Sequence, residues 1–587
     1  MKAIATPVES VTYKGIPASA GISIGPVWIY RPVIAEVKRH NIVDIASEIE
    51  RFKAARKLAV EQLKLLAEKA RSEIGEQEAA IFEAHQMFLE DPELIEIVVH
   101  RVMVERINVE AAVQAGIEEF AIELAAVDDE YLRARAADIR DVGKRLLNIL
   151  VGVETQVKEF PNVPVIILAE DLSPSDTLQF DKSKILAFVT VRGGPTSHTA
   201  ILANSLGIPA VVSLPIDLEM VRPNTQAILD GRSGEIILNP DDGTLSLMGA
   251  EMKKWREGQL AAQKGCQESA VTLDGRSIEV VANIGNVEEA RQALNCGAEG
   301  VGLFRTEFLF LDRNELPSED EQVRAYAQIF DVLRGKPVVV RTLDIGGDKG
   351  APYLGFKDES NPFLGWRAIR MMDERADVLL TQFRALLRAG VSTDLRIMVP
   401  MVSRLTEVEQ ARSLLRTAVE ALEAEDVPIC RTLQFGIMIE VPSAVLVAEH
   451  IAPLVDFFSI GTNDLTQYTM AVDRTNERVV KIASPFHPSV LRLIQLTIEG
   501  AHAQKKWVGL CGEFASNPLA VPFLLGLGLD EFSMSPASIP KIKDLIRQFS
   551  IKECREIAKR TLRLPKTQVV QAYLQSVVNE KHPGLSI

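Results

Sequence analysis

The chain has 587 residues, 47% of them hydrophobic and 25% charged, enough to bury several cores and to divide into about three or four folding units of ~100–250 residues. A formal net charge of -15 argues against a nucleic-acid-binding surface, so an anionic substrate has to be held by local arginine clusters working against the overall field. No apolar run approaches the ~20 residues of a membrane helix and the start MKAIATPVESVTYKG has no signal-peptide core, which points to a cytoplasmic location; five scattered cysteines (Cys266, Cys296, Cys430, Cys511, Cys554) suggest neither a disulfide framework nor a paired-cysteine metal site.

Residues 15–30, GIPASAGISIGPVWIY, alternate small and β-branched residues with Gly and Pro and predict short strands and turns. From Ile42 to Val151 the texture is helical. Ile45, Ile49, Phe52, Ala59, Leu63, Leu66 and Ala70 keep a three-four spacing, later helical segments follow, and Pro92 suits a helix start. An antiparallel bundle is expected. After Pro161 short β-branched runs resume (VPVIILAE, ILAFVT, AVVS, QAILD), and because so short an opening β segment cannot fold alone, the bundle reads as an insertion into one β/α domain. The expected division is residues 1–35 plus 152–244 as that domain, 36–151 as the helical insert, 245–268 as a linker helix and 269–587 as a barrel.

Eight strand-like segments fill the last part: IEVVANIG, GVGLFRTE, PVVVRTLDIGGDK, LRIMVPMVS, FGIMIEVPSA, FFSIGTNDLTQ, WVGLCGEFAS and EFSMSPASI. Separated mostly by helix-compatible stretches, they predict a (β/α)8 TIM barrel in an α/β multidomain chain. In each segment the apolar run comes first and the polar residues last. Barrels carry their sites at the C-terminal ends of the strands, so one mouth should gather Arg305, Arg341, Asp344, Asp348, Lys349, Glu440, Asn463, Asp464, Cys511 and Glu513, with Arg474 on the loop after TNDLTQY. Glu440 and Asp464 are hard oxygen donors suited, with substrate oxygens and water, to octahedral Mg²⁺. Arg305, Arg341 and Arg474 are planar forks for phosphate or carboxylate, so the expected ligand is a small polyanion. A lone apolar-flanked cysteine is ordinarily a core residue; at a strand end beside Glu513, Cys511 becomes a candidate acid for a metal-bound enolate.

In GGPTSHTAILANSLGIPAVV, residues 193–212, Thr196 or Ser197 can cap a helix that ends at Gly207, leaving His198 in its first turn. The positive end of the helix dipole favours a neutral, nucleophilic ring and would receive an anionic group on it, with the hydroxyls of Thr196 and Ser197 in support and Gly193 and Gly194 freeing the backbone. A helix-start histidine is ordinarily a cap or a crevice filler; the polyanion site predicted downstream is what turns this one into a phosphoryl carrier.

GGPTSHTAILANSLGIPAVV resembles the phosphohistidine segment of the phosphoenolpyruvate-utilising enzymes, and FRTEFLF, RTLDIGGDK, the Glu440 segment, GTNDLTQY and LCGEFAS resemble their barrel. The order and length narrow the likeness to the Enzyme I family of the phosphotransferase system, because a phosphoenolpyruvate synthase or pyruvate phosphate dikinase relative needs an ATP-binding domain and neither GxxxxGK[ST] nor spare length is present. With about 14 residues before GIPAS, the sugar-linked form is favoured over the nitrogen-regulatory one, and the intact reactive set over a regulatory phosphoprotein that no longer turns over. The resemblance implies a phosphotransferase in which a swivelling domain carries phospho-His198, with Thr177 bonded to its ring. It implies that Arg305, Arg341, Arg474, Asn463, Asp464 and Lys349 bind phosphoenolpyruvate, that Glu440 and Asp464 hold Mg²⁺ and that Cys511 protonates the enolate to pyruvate. It further implies that the carrier protein HPr docks on the inserted helices and that a homodimer forms through the barrel. Pro195, where the family often has a polar residue, is a departure that touches only fine tuning of the loop.

Overall fold

The structure is a computed structural model describing residues 10–32, 37–73, 76–126, 130–153, 160–194, 197–311, 313–346, 352–356, 359–474, 476 and 478–582; for 72–73, 76–80, 123–126, 130–137 and 205 it describes backbone alone. The chain divides into two compact units, Met1–Trp255 and Arg256–Ile587.

In the first unit the small and β-branched residues of the opening form β1 (Val11–Lys14), β2 (Ile16–Ser19) and β3 (Ile22–Tyr30). Five helices follow: α1 (Ile45–Glu73), α2 (Glu76–Glu90), α3 (Pro92–His100), α4 (Val109–Ala126) and α5 (Glu130–Val151). Asp91 caps α3 ahead of Pro92, its carboxylate accepting from the Glu93 amide at 2.8 Å. The three-four stripe of α1 is buried at Phe52, Ala59, Leu63 and Ala70, against Phe82, Val98, Val113 and Leu146 of the other helices. The chain then supplies β4 (Val165–Ala169), the short α6 (Pro174–Thr177), β5 (Ile185–Thr190), α7 (His198–Leu206), β6 (Ala210–Val212), β7 (Gln226–Asp230) and β8 (Glu235–Leu238). All eight strands make one sheet in the order β1-β8-β7-β3-β4-β5-β6-β2. β3 and β4 pair in parallel, Val27 opposite Ile166, and a parallel pair needs a crossover; the whole helical bundle is that crossover.

Helix α8 (Asp242–Lys264) leads into the second unit, where β9 (Ala270–Val271) forms a hairpin with β10 (Ser277–Ile284). Then come β11 (Val301–Arg305), β12 (Pro337–Arg341), β13 (Asp394–Val399), β14 (Gln434–Ile439), β15 (Phe457–Ile460), β16 (Trp507–Leu510) and β17 (Glu531–Met534). Each pairs in parallel with the next, and β17 returns to β10 with Glu279 opposite Glu531, closing an eight-stranded barrel. Every predicted segment contains one strand, but the strands stop earlier than the segments. β12 ends at Arg341 and β15 at Ile460, so the polar tails are loop or helix; the tail TNDLTQ opens the helix Thr462–Met470. Alternation sorts the side chains. Phe458, Ile460, Val508, Leu510 and Phe532 pack outward beneath the helices. Leu303, Val339, Met398, Met438, Phe457 and Cys511, contributed by different strands, meet inside. Among the described residues no helix is long and apolar enough to cross a membrane.

The segment after α8 is fastened to the foot of the barrel by a fully buried lysine. Lys543 Nζ donates to the carbonyls of Cys266 (3.1 Å), Glu268 (3.1 Å) and Gly297 (2.7 Å) and lies 3.2 Å from Glu299 Oε1. Arg547 adds a bond to the Gly265 carbonyl at 2.9 Å. One ammonium thus satisfies three carbonyls that would otherwise be lost to solvent. Lys543→Met should lower the unfolding free energy of this unit by about 3 kcal/mol, read from denaturant or thermal unfolding.

Candidate active site

The C-terminal ends of the barrel strands enclose a cavity of about 560 Å³ whose lining includes Asn283, Arg305, Arg341, Asp344, Arg367, Asn463, Asp464, Arg474, Cys511 and Glu513. Arg305 and Arg341 are the last residues of β11 and β12 and sit side by side in register. Arg341 Nη2 donates to Glu307 Oε1 at 2.7 Å and its Nη1 lies 3.2 Å from Asp344 Oδ2. Burial disfavours its charge, but Glu307, Asp344 and Glu440 hold the guanidinium well above its ordinary value. Arg474 does not stand at a strand end: it comes from the loop after the helix Thr462–Met470, its amide donating to Gln467 Oε1 at 3.0 Å and its guanidinium 5.3 Å above the Phe363 ring.

Arg367 is the cation that the sequence reading did not name. Its Nη2 donates to Asp344 Oδ1 at 2.8 Å and Oδ2 at 3.0 Å, its Nη1 to Asp464 Oδ1 at 3.4 Å, while Arg474 Nη1 reaches Asp464 Oδ2 at 3.4 Å. Four guanidinium groups therefore converge, and two aspartates fix the forks of three of them, Arg341, Arg367 and Arg474. Arg367 lies in the long irregular connection between β12 and the helix that begins at Met372. A connection of that length without helix or strand periodicity is commonly functional, which is the signal that could have found it.

Glu440 follows β14 directly. Its Oε2 accepts from the Met401 amide at 2.8 Å, and a Cβ on Gly461 would fall 2.9 Å from its Oε1, so only glycine leaves the carboxylate its place. Burial first, then Asp464 and Asp344, push Glu440 up to about 8 against the pull of Arg341 and Arg367. Among the described residues no group of three His, Cys, Asp or Glu side chains is arranged to hold a metal by itself. Cys511 follows β16; its carbonyl accepts from Asn283 Nδ2 at 2.9 Å and its thiol points toward the Ile460 carbonyl at 3.8 Å. Burial pushes the thiol up to about 12, so it keeps its hydrogen at neutral pH.

In the first unit Ser197 is the N-cap of α7, its Oγ accepting from the Ala200 amide at 3.4 Å, and Gly207 ends the helix in the left-handed region at φ 65°. His198 is the first helical residue, as expected. Thr177 Oγ1 lies 3.3 Å from His198 Nε2 and 3.0 Å from the Pro174 carbonyl. One hydroxyl hydrogen serves two acceptors, so a bond to Pro174 leaves Thr177 accepting from a protonated Nε2, and a bond to Nε2 selects the other tautomer. Burial lowers the ring to about 4, against the opposing fields of Asp138 and Asp141 on α5 and with a smaller contribution from His85 on α2. The dipole argument from sequence gives the right direction, but desolvation is the larger cause. His85 and the two aspartates reach the ring only through tertiary packing, which no local pattern announces.

The structure thus brings Arg305, Arg341, Asn463, Asp464, Arg474 and Cys511 to one cavity, sets Glu440 against Asp464 electrostatically, and pairs His198 with Thr177 and Ser197. Thr196, Pro195, Asp348 and Lys349 lie outside the described residues.

Comparison with known proteins covers most of the chain. Residues 14–135 match the family described as PEP-utilising enzyme, N-terminal; residues 161–234 match the PEP-utilising enzyme, mobile domain; residues 260–551 match the PEP-utilising enzyme, PEP-binding domain. The phosphoenolpyruvate-protein phosphotransferase of Bacillus sp. (strain S) is 44% identical over 97% of this chain and 98% of its own length. That of Geobacillus stearothermophilus is 44% identical over the same shares. That of Bacillus subtilis (strain 168) is 42% identical over 96% of this chain and 99% of its own. With the site geometry and these matches together, the chain belongs to the phosphoenolpyruvate-protein phosphotransferases, a family of PEP-utilising transferases.

Proposed function

We propose that the chain moves the phosphoryl group of phosphoenolpyruvate to His198 and then to a histidine of the carrier protein HPr, releasing pyruvate as the first step of sugar phosphotransfer. The observation that carries this reading is the barrel mouth itself, where four guanidinium groups converge on a cavity walled by a thiol that keeps its hydrogen. A trianionic three-carbon substrate suits that cavity: Arg305, Arg341, Arg367 and Arg474 supply forks for phosphate and carboxylate, and Asn463 an amide donor. A neutral His198 nitrogen attacks phosphorus as the bond from phosphorus to the enol oxygen breaks, and the arginines spread the charge of the loose transition state. The enolate regains its carbonyl while the Cys511 S–H gives its hydrogen to the methylene carbon, forming pyruvate and a thiolate.

Glu440 and Asp464 would hold a Mg²⁺ ion, whose charge would relieve the carboxylate repulsion that raises Glu440 above the usual range. When bound, Mg²⁺ supplies charge neutralisation for the phosphate and the enolate oxygen. His198 serves two partners in turn, which calls for a hinged swivel, and α8 is the segment between the two units. The same reading places HPr on the inserted helices, a homodimer through the barrel, and the protein in the cytoplasm. These rest on the resemblance and on relatives whose names specify transfer to a protein.

Intact mass measured after mixing the protein with phosphoenolpyruvate and Mg²⁺ should show one added phosphoryl group that disappears when HPr is supplied, and His198→Ala should show none. Cys511→Ser should lower kcat for pyruvate formation about 10²-fold or more while leaving phosphoenolpyruvate binding within a few-fold, measured by stopped assay and by equilibrium binding. The His198 ring should titrate at about 4 in the native chain by proton NMR, against ~6.5 in the unfolded one. Because the folded value is the lower, native stability should hold above pH ~6.5 and fall as pH drops from there toward 4.

A further inference from the structure

The lower half of the barrel interior carries charge that the reaction above leaves unused. Inward side chains of β10, β13 and β17 bring Glu279, Arg396 and Glu531 together at the N-terminal end. Arg396 Nη1 lies 3.4 Å from Glu279 Oε2 and 3.5 Å from Glu531 Oε2, and its Nη2 lies 3.5 Å from Asp394 Oδ2. One guanidinium faces three carboxylates. Asp530, next to Glu531, is already engaged by Arg276 and His502. Burial, then Glu279, with a smaller push from Asp530, raise Glu531 to about 8 against the pull of Arg396, so its carboxyl holds a hydrogen at neutral pH. Its side chain is 2% exposed, whereas that of Glu279 is 47% exposed and opens to water.

Register sets Glu531 in a row that leads toward the mouth. Ser459, Gly509 and Glu531 are cross-strand partners in one row over β15, β16 and β17, about 4.8 Å apart per strand. A Cβ on Gly509 would stand 2.6 Å from Glu531 Oε1, so the carboxyl leans across β16 toward Ser459 through space that only glycine leaves. Ser459 pulls the Cys511 thiol down against burial, and Cys511, whose thiol faces the carbonyl of neighbouring Ile460 at 3.8 Å, lies one inward position above Gly509. Neither Ser459 Oγ nor either Glu531 oxygen has a protein partner at strict hydrogen-bond geometry among the described residues, uncommon for atoms sealed from solvent.

We propose that Glu531 is the proton reservoir of Cys511, refilling through the Ser459 hydroxyl the thiolate left when the enolate is protonated. The Glu531 O–H breaks as a new O–H forms on Ser459, whose own hydrogen moves to sulfur; the negative charge passes from Cys511 to Glu531 and is neutralised by a proton from water at the barrel foot, by way of Glu279. Glu531 touches no substrate. It is a positioning residue that acts through Cys511, and the inference rests on the reading that Cys511 is the acid.

The test is kcat against pH, from about 6 to 10, with single-turnover pyruvate formation, for the wild type, Glu531→Gln, Gly509→Ala and Cys511→Ser. In the wild type kcat should fall as pH rises through about 8, where Glu531 loses its hydrogen. Glu531→Gln keeps the shape but holds no transferable proton: its first turnover should match the wild type, its steady-state kcat should drop about tenfold with KM within about twofold, and the basic limb should vanish. Gly509→Ala, which pushes the carboxyl aside, should show the same loss with Glu531 intact. Wild-type kcat and an unchanged limb in both variants, beside a slow Cys511→Ser, would overturn the reservoir and leave the acid in place. Unimpaired Cys511→Ser would overturn both.

Discussion

The interlock of Asp344 and Asp464 with the arginines of the barrel mouth is the constraint on which the site depends. Guanidinium groups crowded into a cavity repel one another and carry floppy stems, so alone they would splay toward water. Asp344 accepts three bonds from Arg367 and also contacts Arg341, and Asp464 joins Arg367 to Arg474. Cations from β12, from the irregular connection after it and from the loop beyond the helix Thr462–Met470 thereby become one rigid receptor. The desolvation that such a cluster entails is met by mutual pairing, which also leaves donor edges of the forks for an incoming anion.

The same lattice sets the protonation states around it. Carboxylates close enough to orient arginines are close enough to disturb each other, and Glu440 bears that strain as a raised affinity for protons. Cys511 lies in the opposite regime, where burial first, helped by Glu440 and Glu531, keeps the hydrogen on sulfur. A positively charged clamp and a reluctant thiol are complementary: the first lowers the energy of the enolate, the second gives up a proton only to a base as strong as that enolate carbon. His198 follows a third rule, in which burial keeps the ring neutral and therefore nucleophilic.

Much of this was legible in the residues. The barrel could be counted because each strand is an apolar run whose end is marked by polar residues, and Arg305, Arg341, Asp464 and Cys511 were placed at its mouth by that rule alone. The helix at His198 could be read because Ser197 and Gly207 bracket it. What escaped depends on packing between distant segments. Arg367 sits in a connection without periodicity, and its burial beside Asp344 is visible only once the chain is folded. His85, Asp138 and Asp141 look like ordinary bundle residues until their helices bring them near the ring of His198. Strand ends were overrun for a related reason: TNDLTQ carries the same apolar-polar texture whether it extends a strand or opens a helix, and only the turn at Gly461 decides.

The parallel pairing of β3 with β4 also governs the order in which the chain can be built. β3 leaves the ribosome long before its neighbour, with the entire bundle to be synthesised in between. A helical bundle rich in near-neighbour contacts organises quickly, whereas a pairing between remote segments has to wait for loop closure. The bundle, by bringing residues on either side of itself close together, shortens that search and limits how long a bare strand edge stays open to foreign pairing. An insertion that looks like an addition to a finished domain is therefore also the assembly jig on which that domain is completed.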